Sequence, residues 1–363
     1  MFRTGPERHL SPKYLTNRKQ MGEGSMTLEQ KNRKKRKDAK AELWENAPWL
    51  QKEADKIKAA RKSRDTEDPV DVLLHDPIAI RLTQRFIKAG VSANAVTFMS
   101  LLVGVAGSTL FYSHNFWINL IGVLLVIFAA ILDCCDGQIA RLTHTSSQFG
   151  RVLDGAVDIA NFLAIYIVLG LRMMDETIPF TGMKWSYVIW ILVILAMVCH
   201  ASQARMADYY RGLHLFFLEG RNTAYLTRSK NIKAELAALP KDSPFYEKIY
   251  RAFYLVYTKD QERQTPWAQR LLNVIEKNGG TASEEVAEAY VTNSRRYIQL
   301  SNLLTYSVRT YGLFLLLLLG IPAFFFPFVI IVLEILKIVV VAKYEGVAKG
   351  IMRKYFSSNG TEK

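Results

Sequence analysis

Residues 121–132 read IGVLLVIFAAIL and run directly into Asp133-Cys-Cys-Asp136-Gly137-Gln-Ile-Ala140-Arg141. A helix in a soluble protein needs only an apolar stripe, whereas this run is apolar on every side, and 101–111 (LLVGVAGSTLF) is uncharged in the same way. Working outward, six such stretches appear, at approximately 94–113, 115–132, 152–174, 185–204, 302–321 and 323–342. Each is close to the ~20 residues a helix needs to cross the hydrocarbon core. Six in one chain are too many to hide in the core of a soluble enzyme. The expected fold is therefore all-α: a polytopic membrane protein with six transmembrane helices.

The charges fit that division. The 363 residues carry 47 Lys and Arg against 33 Asp and Glu, a formal net charge of +14, although half the chain is hydrophobic. Basic residues concentrate before the first span, in the connections after the second and fourth, and after the sixth. The turns near Ser113–Trp117 and around Pro322 carry no charge. The positive-inside rule then places both termini in the cytoplasm. Three cysteines, two of them adjacent (Cys134 and Cys135), cannot build a disulfide framework, which excludes a disulfide-stapled secreted protein. The first ninety residues contain no apolar h-region, so no cleaved signal peptide is expected.

The remaining segments divide by composition. Residues 1–69 form a basic cytoplasmic extension that includes the run Arg33-Lys34-Lys35-Arg36-Lys37. Beside an apolar membrane domain, anionic lipid is its expected partner rather than nucleic acid, at about 1 kcal/mol per basic residue near the surface. Residues 70–93 are amphipathic, with Ile78, Leu82 and Phe86 on one helical face, Arg81, Arg85 and Lys88 on another, and Asp76-Pro77 as a start. They are expected to lie as a juxtamembrane helix in the interface. Residues 94–204 hold spans one to four, and 205–301 form a helical cytoplasmic insertion. Within it Thr265-Pro266 opens one helix, Gly279-Gly280 closes it, and Thr281 with Glu284 caps the next. Spans five and six occupy 302–342, and 343–363 form a cytoplasmic tail.

The chemistry lies where the second span meets the third. Asp133, Asp136, Asp154 and Asp158 fall within 26 residues, at the ends of otherwise apolar helices. Ionisable groups at membrane depth are costly and normally face a cavity or each other. On helices, Asp133 and Asp136 are spaced i,i+3 and Asp154 and Asp158 i,i+4, so each pair shares a face. Four carboxylates together need a cation between them, and hard divalent ions, Mg2+ or Mn2+, suit an all-oxygen site. Gly137, Ala140 and Gly150 remove side-chain bulk around the cluster, so a ligand can approach the backbone. Two ions held by shared carboxylates would clamp a pyrophosphate, which makes metal-dependent phosphoryl transfer the leading reading. A cation or proton pathway and a structural salt-bridge knot are the alternatives. Cys134 and Cys135 are read as small packing residues, because thiolates favour softer metals.

The pattern Asp-x2-Asp-Gly-x2-Ala-Arg-x8-Gly-x3-Asp-x3-Asp, filled at all eight fixed positions from Asp133 to Asp158, resembles the signature of the CDP-alcohol phosphotransferase family. The similarity covers the six spans and the juxtamembrane helix, not the N-terminal ~65 residues or the long insertion. The resemblance implies that an acceptor hydroxyl attacks the β-phosphate of a CDP-linked donor and releases CMP. It implies Asp133, Asp136 and Asp154 as ligands of two Mg2+ or Mn2+ ions. Asp158 would be the general base, also touching a metal. Gly137, Ala140, Arg141 and Gly150 would lie around the donor nucleotide and phosphates. It also implies a homodimer and a phospholipid-synthesising enzyme of the bacterial cytoplasmic membrane whose active site faces the cytoplasm. One departure stands upstream: the family often shows Pro-Asn-x-Val-Thr, and here the residues are Ala93-Asn94-Ala95-Val96-Thr97. Asn94 and Thr97 would still serve the nucleotide pocket.

Three further basic residues sit in or beside the later spans: Arg205, Arg309 and Lys337, with Glu334 one turn before the last. Basic groups converging on a cavity suit an anionic acceptor. Family members that accept inositol phosphate are similar here and in the segment from His75-Asp76-Pro77-Ile78 to Thr83. The expected acceptor is thus inositol phosphate with CDP-diacylglycerol as donor. Glycerol phosphate, serine, choline and ethanolamine are the alternatives.

Overall fold

A computed structural model of the chain describes residues 66, 68–178, 180–219, 226–240, 243 and 245–356. The expectations for the N-terminal extension up to residue 65 and for the tail from residue 357 lie outside the described residues. Among the described residues the fold is all-α, and the one β-type pairing is an isolated bridge between Thr177 and Lys184.

A π-helical turn, Asp71–His75, leads into α1, Asp76–Lys88. The buried side chains of α1 are Ala79, Ile80 and Thr83, while Ile78 is exposed. The face of Ile78, Leu82 and Phe86 is therefore not the one α1 buries best. Polar contacts with the next-but-one helix decide the rotation: Thr83 Oγ1 donates to Gln138 Oε1 (3.1 Å), Gln138 Nε2 to Asp76 Oδ1 (3.3 Å) and Cys135 Sγ to the Ala79 carbonyl (3.4 Å).

Ser92 caps α2 (Ala93–Thr109), accepting from the Ala95 amide, so a serine cap fixes the entry that proline would otherwise set. A 3-10 turn, Leu110–Tyr112, ends this span, and Asn115 caps α3, Phe116–Leu142. Here the two helices pass at glycine distance: a Cβ on Gly122 would stand 2.7 Å from the Gly107 carbonyl oxygen. At 27 residues, α3 is roughly 40 Å long, about 10 Å more than the hydrocarbon core. Ser147 caps α4 (Gln148–Met173), its Oγ accepting from the Gly150 amide at 2.9 Å, and α4 returns along α2.

α5 runs unbroken from Ile189 to Glu219, so no helix boundary falls at residue 205. Aromatic packing carries it onward. Tyr210 stacks on Tyr344 at 4.1 Å, Phe217 on Tyr290 at 4.1 Å, and His214 Nδ1 pairs with Ser294 Oγ at 2.9 Å. The insertion supplies α6 (Ser229–Ala237), α7 (Phe245–Gln264), α8 (Pro266–Lys277) and α9 (Glu284–Asn302). Pro266 opens α8 as expected, but Ser283 rather than Thr281 caps α9, accepting from the Val286 amide. Tyr209, Tyr210 and Phe217 are buried in this bundle, whereas Phe253 is exposed.

The fifth expected span yields α10, Tyr306–Leu318, only 13 residues long. It stops where Gly320 adopts φ +73° and Pro322 follows. The chain then passes through a helical turn at Phe325–Pro327 and a π-turn at Phe328–Val332 into α11, Leu333–Phe356. Among the described residues five helical segments are long and apolar enough to cross a membrane: Ala93–Tyr112, Phe116–Leu142, Leu153–Met173, Ser186–Glu219 and Pro322–Phe356. Much of their apolar surface points outward, as at Leu102, Ile121, Ile159, Ile191 and Ile335. Lipid is the solvent that makes such a surface stable. The protein is an integral, multi-pass membrane protein.

Candidate active site

The last turns of α3 and the first turns of α4 bring the aspartates together. Ligand oxygens of Asp133, Asp136 and Asp154 all lie within 4.8 Å of one another. Of the carboxylate oxygens on these residues, Asp133 Oδ1 and Asp136 Oδ2 are buried with no hydrogen-bond partner among the described residues. Buried carboxylate oxygens are costly to leave unpaired, and costlier beside other carboxylates. The donor set is all oxygen, the three carboxylates converge, and two of their buried oxygens lack partners among the described residues, so the residues present fit a hard divalent cation.

Asp158 stands one turn further along α4. With Asp133 it lines a cavity of about 120 Å³ between α2, α3 and α4. On the other walls are Ser100 and Gly104 from α2, Asn161 and Phe162 from α4, and Tyr306 from α10. Gly104 makes room for Asn161: a Cβ there would fall 2.4 Å from Asn161 Oδ1, a buried atom with no hydrogen-bond partner among the described residues, and would displace that side chain. Asn161, Tyr306, Asp71 and His75 are cavity residues that motif reading missed. The usable signal was the i,i+3 spacing of Asp158 and Asn161, a second polar residue on the same face of an apolar helix.

The other motif positions surround the aspartates. The Arg141 guanidinium covers Gly137, where a Cβ would stand 3.2 Å from Nη1, and it acts electrostatically on Asp136. Thr97 is buried, its hydroxyl close to the Asp136 carboxylate while also donating to the Ala93 carbonyl at 3.1 Å. Asn94 approaches the start of α4, its Oδ1 3.4 Å from where a Gly150 Cβ would be. Ala140 lies half-buried in the last turns of α3, and its carbonyl accepts from the Thr145 amide. Cys135 packs fully buried against α1, as a small helix-packing residue.

Arg205, Arg309 and Lys337 do not line this cavity. Arg205 pairs with Asp260 of α7 at 3.0 Å. Arg309 is 1 % exposed; its Nη2 donates to Gln203 Oε1 and to the Leu304 carbonyl, both at 3.1 Å. Lys337 is paired with Glu334 and donates to Ser202 Oγ at 3.1 Å. Gln203 joins the group by donating to Glu334 Oε2 (3.1 Å) and to the Val329 carbonyl (2.9 Å) on the π-turn.

Comparison with known proteins agrees with this geometry. The family described as CDP-alcohol phosphatidyltransferase matches residues 91–215, which span α2 to α5 and every motif aspartate. A putative cardiolipin synthase of Mycobacterium tuberculosis is 44% identical over 50 residues, 14% of this chain and 24% of that protein. An archaetidylinositol phosphate synthase of Pyrococcus horikoshii is 28% identical over 118 residues, 32% of this chain and 54% of that protein. A CDP-diacylglycerol–serine O-phosphatidyltransferase of Mycobacterium tuberculosis is 28% identical over 117 residues, 32% of this chain and 37% of that protein. The chain thus spans between about a quarter and about half the length of these relatives.

Proposed function

We propose, from the match of residues 91–215 to the CDP-alcohol phosphatidyltransferase family, that the protein transfers a phosphatidyl group from CDP-diacylglycerol to an alcohol. The observation that carries this reading is the convergence of Asp133, Asp136 and Asp154, with two buried carboxylate oxygens left without partners. These three residues would hold Mg2+ or Mn2+, two ions being the number that shared carboxylates support. When bound, the ions neutralise the donor pyrophosphate and the charge that develops on the attacking and leaving oxygens.

The chain's own groups do the rest. Asp158 lines the cavity beside Asp133 and accepts the proton of the acceptor hydroxyl. The freed oxygen forms a bond to the β-phosphorus, the bond from that phosphorus to the oxygen of CMP breaks, and CMP leaves. Asp158 returns its proton to water. Arg141, lying over Gly137, meets the donor phosphates, and the small residues Gly137, Ala140 and Gly150, with Asn94 and Thr97, form the nucleotide side of the site. The acyl chains of the donor lie along the outward apolar faces of the spans. The α3 end that carries the motif faces the cytoplasm, where CDP-linked donors are made and the basic connections lie.

Among the relatives the named acceptors include inositol phosphate and serine. The basic residues that favoured inositol phosphate are bound elsewhere in the fold, so the site itself carries the shared step of hydroxyl attack. The test is a panel of acceptors (inositol phosphate, glycerol phosphate, serine, choline, ethanolamine) incubated with purified protein, Mg2+ and CDP-diacylglycerol, with products read by mass spectrometry. One phosphatidyl product is expected together with equimolar CMP. No product from any acceptor, with CDP-diacylglycerol or CDP-choline as donor, overturns the reading.

A further inference from the structure

A second group of ligand atoms lies near the aspartates and has a different chemistry. Asp71, His75 and Cys134 each place a donor atom within 4.8 Å of the others. They come from two elements: Asp71 and His75 from the π-helical turn ahead of α1, and Cys134 from α3. In this turn the Asp76 amide reaches back to the Asp71 carbonyl, and the wider ring brings residues i and i+4 nearly into line. Asp71 Oδ1 consequently lies 2.8 Å from His75 Nδ1. The histidine is 1 % exposed, while the Asp71 side chain is 43 % exposed and keeps the group accessible. All three residues line the cavity that also reaches Asp133 and Asp158.

The other imidazole nitrogen is already held. Nε2 lies 2.9 Å from the Tyr311 hydroxyl of α10, whose ring stacks on the imidazole. Metal-bound histidines are characteristically fixed in this way, with one nitrogen on the ion and the other anchored by a hydrogen bond. We propose that Asp71, His75 and Cys134 form a binding site for a borderline-soft divalent metal of the zinc class, separate from the aspartate cluster. Carboxylate, imidazole and thiolate together select zinc over magnesium, because sulfur and nitrogen are poor ligands for hard ions. Tetrahedral zinc sets its ligand atoms roughly 3.5 Å apart, so Asp71 Oδ1 and His75 Nδ1 would part slightly from 2.8 Å while Cys134, within 4.8 Å of both residues' donor atoms, would complete the set. On binding, the metal takes the place of the proton on Nδ1, the neutral imidazole carries that proton on Nε2 instead and donates it to the Tyr311 hydroxyl, and Cys134 gives up its thiol proton to solvent. The three protein ligands leave the fourth position to a solvent oxygen. The ion would tie the juxtamembrane turn to the end of α3, next to the acidic motif.

This site does not depend on phosphatidyl transfer, and its test need not measure activity. Full-length protein in detergent, with excess Mg2+ present, is titrated with Co2+ and followed by near-ultraviolet absorption. One equivalent giving a thiolate-to-cobalt charge-transfer band, competed by Zn2+, is expected. Cys134→Ser should abolish the band, and His75→Ala should weaken Co2+ binding by at least about tenfold. Tyr311→Phe, which leaves all three ligands in place, should weaken it about tenfold. Asp154→Asn, which alters only the aspartate cluster, should leave the band unchanged. Circular dichroism of each variant shows whether it is folded, and the Tyr311 and Asp154 variants decide the matter if Cys134→Ser does not fold. The proposal is overturned if folded wild-type protein gives no thiolate band, if the band survives in folded Cys134→Ser, or if Asp154→Asn removes it.

Discussion

Two regions of this protein hold ionisable side chains at membrane depth and treat them in opposite ways. Where α5, α10 and α11 meet, Arg309, Gln203, Glu334, Lys337 and Ser202 bond one another or nearby carbonyls. Between α3 and α4, three carboxylates crowd together and two of their oxygens have no partner among the described residues. In the first arrangement opposite charges meet within the fold, and of these groups only Arg309 Nε is buried without a partner among the described residues. In the second they do not, and the surrounding fold must hold like charges close against their repulsion. A paired network therefore points to stability, and an unpaired one to a bound cation and its chemistry.

Four substitutions sharpen the contrast, from the largest effect to the smallest. Asp158→Asn should lower CMP release by about 10²- to 10⁴-fold while leaving the thermal midpoint near wild type. Steady-state rates and a melting curve on the same preparation check this, and a wild-type rate removes Asp158 as the base. In the paired network, Arg309→Met should do the reverse. Losing its bonds to Gln203 and Leu304 should destabilise the fold by about 1–3 kcal/mol, with KM values for both substrates close to wild type in the folded fraction. A selective rise in the acceptor KM at an unchanged melting temperature would instead return Arg309 to substrate binding. Asp136→Asn tests the repulsion directly: in chelator the variant should melt higher than wild type, by an amount on the order of 1 kcal/mol, and in Mg2+ the order should invert. Smallest is Ser147→Ala, which removes the cap that starts α4 and should cost about 1 kcal/mol by denaturation, with the metal requirement unchanged.

How far the sequence revealed these features depended on the range of the interactions. The apolar runs and the aspartate spacing are local, so the helices and the gathering of Asp133, Asp136 and Asp154 were legible from residue order. The short α10 was not, because composition shows 302–321 as apolar but the helix begins only after Thr305 and ends at Leu318, just before Gly320 takes a positive φ. The continuous α5 was hidden for the opposite reason. Its polar second half is held by Tyr344 and Tyr290, which lie far along the chain. Arg309 illustrates the same limit: a lone arginine in an apolar run indicates a polar neighbour but not which one. Gln203 is 106 positions away. The rotation of α1 likewise depends on Gln138 and Cys135, which a helical wheel of α1 alone does not contain.

The account rests most directly on the two orphaned oxygens of Asp133 and Asp136. The decisive measurement is CMP release by the purified protein from CDP-diacylglycerol, with the acceptor panel, in chelator and after Mg2+ or Mn2+ is restored. Release that is absent in chelator and returns with either ion and an acceptor is the predicted result. CMP release that is indifferent to metal would contradict it, as would divalent-cation flux in proteoliposomes with no nucleotide consumed.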